Sequence, residues 1–220
     1  MSPPDFDNKA FWNERYVQDV WLGSGPGSRG IAALFKSHLI EETIRNRQPR
    51  SILDVGCGDC CWITPESKLE GIRYLGLDIS DVIISNNRSR LPSLEFQLHD
   101  LTKDELPARF DLVICLDVLI HQCDSDGFNS ALKRLLRAIT KSGLISYRTP
   151  NSNEHVVPCL SSQDSEITFQ SALSARGNSI PHAMTNIFGG LPELIAAIDP
   201  AFRVSEIGRY RYQSIYAVQR

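Results

Sequence analysis

Short apolar runs alternate with amphipathic segments along the chain, and this alternation predicts an α/β fold. The apolar runs are rich in β-branched residues and suit buried strands of a parallel sheet; they cover residues 52–55, 72–79, 94–98, 111–116 and 144–149. Apolar residues at helical spacing predict helices over residues 5–18, 31–47, 80–90 and 126–140. The chain ends with a predicted helix over 191–198 and strands near 202–207 and 212–218.

Two stretches depart from this alternation. The loop at 20–30, VWLGSGPGSRG, is rich in glycine and precedes the helix over 31–47, whose predicted buried face consists of Ile31, Leu34, Phe35, Leu39, Ile40 and Ile44. Residues 150–185 show neither period and contain many Ser, Asn and Gln residues. A structureless stretch of that length is usually a functional lid or forms small helices of its own, so we expect it to carry substrate specificity. A disordered insertion is the alternative.

The stretch from Ser51 to Ile63, SILDVGCGDCCWI, is the main candidate for a ligand site. A buried strand ends there, and Gly56 and Gly58 follow it. Two glycines let the backbone turn tightly and leave it without side chains, so that a ligand could lie against main-chain amides before the next helix. The pattern therefore predicts a cofactor loop, although a purely structural turn would show the same spacing.

Other interpretations of this stretch are less favoured. A nicotinamide dinucleotide site, with its G-x-G-x-x-G/A pattern, would require a small residue at Cys61. Cys57 and Cys60 have the C-x-x-C spacing of a redox pair or half a zinc site, but no second such pair follows. We therefore expect no metal, and we interpret the six cysteines as free thiols of a reducing compartment.

Acidic residues follow the later predicted strands at the same relative position. Asp78 comes 22 positions after Gly56, Asp100 follows the third strand, and Asp117 follows the fourth. Ligands of open α/β sheets bind beyond the carboxyl ends of the strands, so these loops should share one site. Asp78 is placed to accept hydrogen bonds from ribose hydroxyls, with a cap of the helix that begins near Ser80 as the alternative.

These motifs together resemble class I S-adenosylmethionine-dependent methyltransferases of the small-molecule type. Asp54, Gly56 and Gly58 match the first motif of that family, although Cys60 stands where a third glycine is common. The DVLIH segment at 117–121 is similar to the fourth motif. FWNERY at 11–16 resembles the N-terminal helix of thiopurine and tellurite-resistance methyltransferases, and GSGPGS at 23–28 resembles a segment of uncharacterised bacterial methyltransferases.

The resemblance implies a Rossmann-like α/β fold with a seven-stranded mixed sheet of order 3-2-1-4-5-7-6 and helices on both faces. It implies one domain over 1–220, with an N-terminal helical cap at 1–47 and a substrate lid at 150–185. The cofactor would be S-adenosyl-L-methionine, with Asp78 on the ribose and Asp100 on the adenine amino group. The implied cofactor-binding residues are Trp21, Arg29, Asp54, Gly56, Cys57, Gly58, Asp78, Ile79, Asp100, Leu101, Leu116 and Asp117.

The resemblance also places Asp117 and His121 beside the acceptor as catalytic candidates. His121 lies one helical turn after Asp117, and an imidazole can take a proton from a hydroxyl or ammonium group at neutral pH. It could equally orient the substrate or pack beneath the cleft. Arg29, near a helix N-terminus, would meet an anionic group such as the methionine carboxylate.

The composition limits the classes of partner that we expect this protein to bind. The 220 residues carry a formal net charge of -3 and no dense basic block, which disfavours sequence-independent nucleic-acid binding. The sequence has neither a membrane-length apolar run nor a signal-peptide pattern, so we expect a cytoplasmic monomer or homodimer. The predicted activity is methyl transfer to an oxygen or nitrogen of a small-molecule acceptor. An RNA- or protein-methylating enzyme, a non-catalytic cofactor-binding module and a nucleotide-dependent oxidoreductase remain alternatives.

Overall fold

The computed structural model describes residues 7–18, 23–64, 67, 69–122, 124–148, 156–160, 188–211 and 213–220. The helices are α1 (Asn8–Gln18), α2 (Gly30–Arg47), α3 (Asp81–Arg90), α4 (Ser125–Ala138) and α5 (Leu191–Ile198), with short 3-10 turns at Pro26–Ser28 and Leu119–His121. The strands are β1 (Ser51–Val55), β2 (Arg73–Asp78), β3 (Glu95–Leu98), β4 (Phe110–Cys115), β5 (Ile139–Arg148), β6 (Val156–Leu160), β7 (Arg203–Arg211) and β8 (Gln213–Gln219).

All described strands belong to one sheet, of order β3-β2-β1-β4-β5-β8-β7-β6. The strands from β3 to β5 are parallel, whereas β8 pairs antiparallel with both β5 and β7. The seven predicted strands therefore lie in the predicted order 3-2-1-4-5-7-6, and the fold prediction is confirmed. β6 adds an eighth strand at the β7 edge.

That added strand lies in the stretch 150–185, for which the sequence predicted a functional lid, small helices of its own or a disordered insertion. Val156–Leu160 pairs antiparallel with β7, and the sequence analysis did not predict this strand. A sequence run of five residues next to a polar stretch gives little strand signal, and pairing with an existing sheet edge supplies the missing stabilisation. Residues 161–187 lie outside the described residues, so their role as a lid stays a prediction.

The two faces of the sheet are covered separately, because neighbouring residues of a strand point to opposite sides. On β1, Leu53 packs in the cluster that includes α4 and α5, whereas Ile52 packs in the cluster that includes α2 and α3. α4 is amphipathic and buries one stripe against the sheet, formed by Phe128, Ala131, Leu132, Leu135, Leu136 and Ala138. Both faces of the sheet are therefore buried among the described residues, as parallel sheets require.

Two element boundaries differ from the sequence prediction. The segment Lys141–Gly143 was expected to form the turn that ends α4, but α4 ends at Ala138 and β5 begins at once with Ile139. Ile139 is fully buried and pairs with Phe110, so it extends the strand backwards. The predicted turn residues thus lie inside β5, where Lys141 forms an ion pair with Asp111 at 2.8 Å.

The buried face of α2 is rotated from the predicted one. Ile31 and Leu34 were expected in the core, yet they are 64% and 70% exposed. The buried positions are Ala32, Lys36, Leu39 and Ile40. Periodicity counts apolar residues only, so it could not place a buried lysine, whose partner is described below. No helix of the described part of the chain is both long and apolar enough to span a bilayer.

Replacement of Leu132 by alanine should test the packing of α4. Leu132 is fully buried in the core cluster, so Leu132→Ala should lower the free energy of unfolding by about 2–5 kcal/mol through lost burial and a cavity. Lys133→Ala, at an exposed position of the same helix, is the control and should change it by less than about 0.5 kcal/mol. Urea unfolding measures both, and equal effects would contradict the described orientation of α4.

Candidate functional site

A cleft lies at the carboxyl edge of the parallel strands, where the loops after β1, β2, β3 and β4 converge beneath α1. It encloses about 1020 Å³ of space, its open mouth included. Most of the residues predicted for the site line this cleft: Asp54, Gly56, Cys57, Gly58, Asp78, Ile79, Asp100, Leu101, Leu116, Asp117 and His121. Strand order alone brings them together, since they are distant in sequence.

The glycine loop needs its glycines for packing and for backbone conformation. Gly56 and Gly58 have φ of 70° and 51°. Residues other than Gly, Asn and Asp rarely adopt this region of backbone conformation. A Cβ on Gly56 would lie 2.1 Å from Cγ2 of Val118, and one on Gly58 would lie 2.7 Å from Oγ of Ser24. The backbone thus passes beneath the adjoining loops with no room for a side chain.

The expected role of the loop amides is wrong in one respect. The amides of Gly56 and Cys57 both donate to the carbonyl oxygen of Leu77, at 2.7 and 2.9 Å. The amide of Gly58 donates to Asp78 Oδ2 at 3.0 Å. These donors tie the loop to the end of β2, so they are not available to a ligand. What the loop offers to the cleft is close backbone approach.

Asp54 is buried beneath the glycine loop, where its side chain accepts two hydrogen bonds. Its Oδ2 accepts hydrogen bonds from Trp62 Nε1 at 2.8 Å and from the Tyr74 hydroxyl at 3.0 Å. Burial raises the pKa of Asp54 to about 6, although the hydrogen bonds from Trp62 and Tyr74 oppose the shift. The acid of the first motif therefore organises the segment that follows the glycines.

Asp78 is placed at the tip of β2 with both oxygens accepting backbone amides. Oδ2 binds Gly58 N and Oδ1 binds Ser80 N at 2.9 Å. The side chain that caps α3 is Ser80, which accepts from Ile83 N at 3.3 Å, so the capping alternative for Asp78 is wrong. Burial raises the pKa of Asp78 to about 6 against these backbone hydrogen bonds.

The side chain of Asp100 binds residues of the turn that follows it. Oδ1 accepts from the amide of Thr102 at 3.0 Å and from its hydroxyl at 2.6 Å, and Oδ2 pairs with Lys103 at 3.0 Å. Burial alone would raise the pKa of Asp100, but the bonds from Thr102 and Lys103 outweigh it and lower the pKa. The neighbouring His99 also lines the cleft and is buried.

Asp117 lies at the centre of a buried polar network. One carboxylate oxygen accepts from Lys36 Nζ at 2.7 Å, and the other accepts from the Tyr210 hydroxyl at 2.5 Å and from Gln213 Nε2. Burial would raise the pKa of Asp117, but the charge and hydrogen bond of Lys36, helped by Tyr210 and Gln213, lower it. The carboxylate is therefore ionised and held by three donors.

The backbone at Asp117 is held as firmly as its side chain. Its φ is 62°, in the left-handed region that aspartate tolerates better than most residues. Its amide donates to Ser146 Oγ at 2.8 Å, and Ser146 in turn donates to Gln213 at 3.0 Å. The network thus joins α2, the end of β4, β5 and the C-terminal hairpin at one point.

His121 lies under the N-terminal helix. It is buried in the 3-10 turn after β4, and its ring contacts Trp12 of α1 edge-on, with ring centroids 5.3 Å apart. Further contacts hold α1 over the cleft, because Ser80 Oγ donates to Asn13 Oδ1 at 2.6 Å and Tyr16 bonds Ser24 at 3.0 Å. The helix predicted to cover the cleft does so.

One predicted cofactor residue of the described part of the chain, Arg29, is not brought to the cleft. Arg29 forms an ion pair with Asp59 at 2.5 Å and donates to the carbonyl of Ser28, and it is not among the residues that line the cleft. The expectation that Arg29 meets a ligand carboxylate is therefore not supported, since Asp59 already neutralises it. Trp21 lies outside the described residues.

The cysteines of the loop are structural. Cys57, Cys60, Cys61 and Cys115 are free thiols. Asn87 Nδ2 approaches Cys60 Sγ at 3.5 Å and donates to the Gly58 carbonyl at 2.6 Å. Burial raises the pKa of Cys57 and of Cys115 well above that of a reactive thiol. Within the described ranges no cluster of His, Cys, Asp and Glu could hold a metal ion.

Sequence reasoning missed several polar residues of the site, namely Asn8, Lys36, His99, Tyr210 and Gln213. For Lys36 periodicity gave no signal, because it counts apolar residues only, although the structure places Lys36 on the same buried stripe of α2 as Ile40. For Tyr210 and Gln213 none existed, since they reach Asp117 from 93 and 96 positions away. Only the sheet order places the C-terminal hairpin beside β5.

The chain resembles known proteins in sequence over its central part. Residues 52–143 match the family described as "Methyltransferase domain". Ribosomal RNA small subunit methyltransferase C of Yersinia enterocolitica is 29% identical over 118 residues, which are 50% of this chain and 33% of that protein. Ubiquinone biosynthesis O-methyltransferase of Pseudomonas putida is 24% identical over 110 residues, 47% of this chain and 46% of that protein. The matched stretch thus spans less than half the length of each relative.

Solved structures resemble it over nearly the whole chain. Magnesium protoporphyrin IX methyltransferase from Synechocystis, crystallised with SAM, has a TM-score of 0.62 at 15% identity and covers 100% of both chains. A TehB-like SAM-dependent methyltransferase from Corynebacterium glutamicum has a TM-score of 0.58 at 17% identity, covering 97% of this chain and 100% of the other. At such identities the likeness shows a shared fold.

Removal of the Lys36 charge should test the Asp117 network. Lys36→Met keeps the apolar stem but leaves the Asp117 carboxylate buried beside one fewer donor, so it should lower the free energy of unfolding by about 3–5 kcal/mol. Combining it with Asp117→Asn, which keeps a side chain suited to the positive φ, should restore part of that loss.

The double-mutant cycle, measured by urea unfolding, should give a coupling of at least about 1 kcal/mol between the two positions. Lys133→Met on the exposed face of α4 is the matched control and should be nearly neutral. Strict additivity of Lys36→Met and Asp117→Asn would show that the ion pair does not stabilise the fold.

Proposed function

We propose that this chain is a class I S-adenosylmethionine-dependent methyltransferase, as the match of residues 52–143 to a methyltransferase domain and the fold support, and that it transfers a methyl group from S-adenosyl-L-methionine to an oxygen or nitrogen of a small molecule. One observation carries the proposal. The residues that resemble the motifs of the family, which extend from Asp54 to His121, line a single cleft at the carboxyl edge of the sheet.

The cleft has features that fit this cofactor. Gly56 and Gly58 line the cleft with backbone atoms alone, and the side chains of Val118 and Ser24 take the space that a Cβ would need. Asp78 presents a buried carboxylate whose two oxygens retain lone pairs after binding two amides, so it can accept from the two hydroxyls of a ribose. Asn8 and His99 also line the cleft, and each has a buried polar side-chain atom without a hydrogen-bond partner among the described residues.

When bound, the cofactor supplies a methyl group that is activated by its positively charged sulfur. The chain then has to exclude water, align the acceptor and remove a proton. α1 contributes Trp12 and Tyr16 to the lining of the cleft, so it covers part of a cleft that remains open to solvent. The Asp54 and Asp78 carboxylates give the cleft negative charge at neutral pH, which favours a cationic ligand.

Different roles follow for the two catalytic candidates. The Asp117 carboxylate is ionised and engaged with Lys36, Tyr210 and Gln213, so we assign it a positioning role at the acceptor end of the cleft. His121, buried against Trp12 and lining the same cleft, is the group that we assign to orient the acceptor and accept its proton.

A small acceptor suits the overall charge of -3 better than an RNA does. The solved methyltransferases of similar fold include one named for magnesium protoporphyrin IX, and one curated relative is named for ubiquinone biosynthesis. An RNA acceptor is the second candidate, because the other curated relative acts in its name on ribosomal RNA. Incubation with methyl-labelled cofactor and either ribosomal RNA or a panel of small hydroxyl, carboxyl and amino compounds distinguishes them.

Cofactor binding and its pH dependence test the ribose role of Asp78. Calorimetry should show micromolar binding of S-adenosylhomocysteine, and Asp78→Asn should weaken it by about tenfold or more, since bonds to an ionised acceptor are lost. The pKa of Asp78 is about 6, so the side chain is mostly ionised at pH 7 and mostly protonated at pH 5. Wild-type affinity should therefore fall as the pH decreases from 7 to 5, and less steeply in the variant.

Asp126→Asn, at an exposed position in the first turn of α4, is the control for this charge change and should bind as the wild type does. Unchanged affinity in Asp78→Asn would refute the ribose role alone. If the wild type bound neither S-adenosylmethionine nor S-adenosylhomocysteine, the proposed function itself would be wrong.

Replacement of His121 should lower the turnover rate more than it lowers the affinity for the cofactor. With an acceptor identified by methyl transfer, His121→Gln should lower kcat by about 100-fold or more, because the proton acceptor is lost. The dissociation constant of S-adenosylhomocysteine should stay within about twofold. Wild-type kcat in this variant would show that His121 only packs against Trp12.

A further inference from the structure

The amino edge of the sheet, opposite the cleft, carries a row of basic residues to which the roles above give nothing to do. Six adjacent strands each contribute one exposed cation at or next to the strand end that lies on this edge. In sheet order, from β2 through β1, β4, β5 and β8 to β7, they are Arg73, Arg50, Arg109, Lys141, Arg220 and Arg203. We call these six residues the amino-edge row.

Backbone contacts show that the members of the row are neighbours. The Arg73 amide donates to the Arg50 carbonyl at 3.0 Å, and the Arg220 amide donates to the Lys141 carbonyl at 3.3 Å. Arg50 and Arg109 directly precede β1 and β4, which pair with each other. Because neighbouring strands lie about 4.8 Å apart, the six strands give a row of about 24 Å.

Several side chains of the row are held in place by contacts within the fold. The Arg73 guanidinium lies over the ring of Phe110, 4.5 Å from its centroid, and that of Arg220 lies over Phe202 at 5.4 Å. Arg109 donates to a carbonyl of β5 at 3.2 Å. Side chains that are already ordered lose less conformational freedom when a partner binds, so the row is prepared for an extended ligand.

The fold supplies few opposite charges for the row. Lys141 pairs with Asp111 at 2.8 Å, and Arg220 pairs with Asp199 at 3.4 Å. Within the described part of the chain, the other four members form no ion pair with a carboxylate. Like charges on neighbouring strands repel one another. An anionic partner lying along the row would offset that repulsion.

The amino edge is basic although the chain as a whole is acidic. The last turns of α2 and α4 add three cations at this edge, namely Arg45, Arg47 and Arg137. Four acidic residues of the described chain lie beside them, namely Glu70, Glu95, Asp111 and Asp199. The formal net charge of -3 therefore hides an uneven distribution. The members of the row come from distant parts of the chain, which is why the sequence shows no dense basic block.

We propose that the amino-edge row binds the phosphate backbone of a single RNA strand. A straight row of cations suits a linear polyanion, and five of the six members are arginines, whose guanidinium groups can bind phosphate oxygens in pairs. A lipid bilayer suits this edge less well, because interfacial binding also uses apolar side chains. The exposed large apolar residues of the described chain lie elsewhere, at Val17, Ile31, Leu34 and Leu98.

This inference stands apart from the proposed function. The cleft lies at the carboxyl ends of the parallel strands, whereas the row lies at the opposite edge of the same sheet. An RNA strand bound along the row is therefore a docking partner and not the methyl acceptor in the cleft. The row would hold the protein on RNA by sequence-independent contacts, since phosphates carry no base information.

RNA binding by the wild type is the first measurement. Fluorescence anisotropy with a labelled single-stranded RNA of about 12 nucleotides should show binding that weakens as salt is added, because binding releases counterions from the phosphates. With about four to six phosphate contacts, the logarithm of the dissociation constant should rise with the logarithm of the salt concentration at a slope of about 3–4.

Neutralisation of two members tests the row itself. Arg50→Gln combined with Arg203→Gln removes exposed charges at β1 and β7, so the variant should unfold at the same urea concentration as the wild type. At about 50 mM salt it should bind the RNA about tenfold or more weakly, with a salt slope lower by about 1.4. Lys9→Gln combined with Lys133→Gln, on α1 and α4, is the control of equal charge and should bind within about twofold of the wild type.

Cross-linking locates the bound strand on the unaltered protein. RNA that contains 4-thiouridine is irradiated with the wild type, and mass spectrometry identifies the peptides that carry the cross-link. These should come from the segments of the amino-edge row. Cross-links confined to the loops that line the cleft would contradict docking at this edge, and would instead support an RNA acceptor.

Three further outcomes would overturn the proposal: no RNA binding at low salt, an equal loss of affinity in both double variants, or tighter binding to polyglutamate or to phosphatidylglycerol vesicles than to RNA. The affinity for S-adenosylhomocysteine should be the same in Arg50→Gln/Arg203→Gln as in the wild type. Failure of RNA binding with intact cofactor binding would therefore leave the proposed function standing, and loss of cofactor binding alone would leave the row standing.

Discussion

Three carboxylates are buried at the carboxyl edge of the sheet, and much of the surrounding structure supplies the donors that they need. Asp54 takes its donors from Trp62 and Tyr74, and Asp78 takes them from backbone amides. Asp117 takes them from α2 and the C-terminal hairpin. A buried charge without partners would cost several kcal/mol, so each carboxylate fixes the elements around it. The shape of the cleft follows because all three buried carboxylates receive hydrogen-bond donors in the same fold.

The same requirement explains the unusual backbone of the site. The amides of residues 56 to 58 turn back towards β2 and Asp78, which requires positive φ at Gly56 and Gly58. Asp117 adopts a positive φ as well, and its partners on four elements hold it there. Strained or uncommon conformations persist where the surroundings over-determine them, and such places are often functional. In this protein the residues with these conformations, Gly56, Gly58 and Asp117, line one cleft.

The sheet order, the match of residues 52–143 to a methyltransferase domain and the likeness to solved methyltransferases agree on the fold. The acceptor depends on side chains above the cleft, and these differ among proteins that share the architecture. In this chain the roof is α1, where Trp12 packs on His121 and Asn13 binds Ser80. The end of the cleft that we propose for the acceptor is therefore bounded by Trp12, His121 and the Asp117 network.

By itself, the sequence determined most of the strand pattern and the glycine loop with the acids at or just beyond the ends of β1, β2, β3 and β4, whereas the sheet order was implied only by the family resemblance. These features are local, because period, turn chemistry and strand ends can be recognised in short windows. It could not determine that Lys36 lies in the core, that Arg29 is neutralised by Asp59, or that Tyr210 and Gln213 reach Asp117. Nor could it show that basic residues from distant parts of the chain form one row at the amino edge of the sheet. Only the tertiary structure decided these points, because whether a polar group is paired depends on residues that the fold brings from distant parts of the chain.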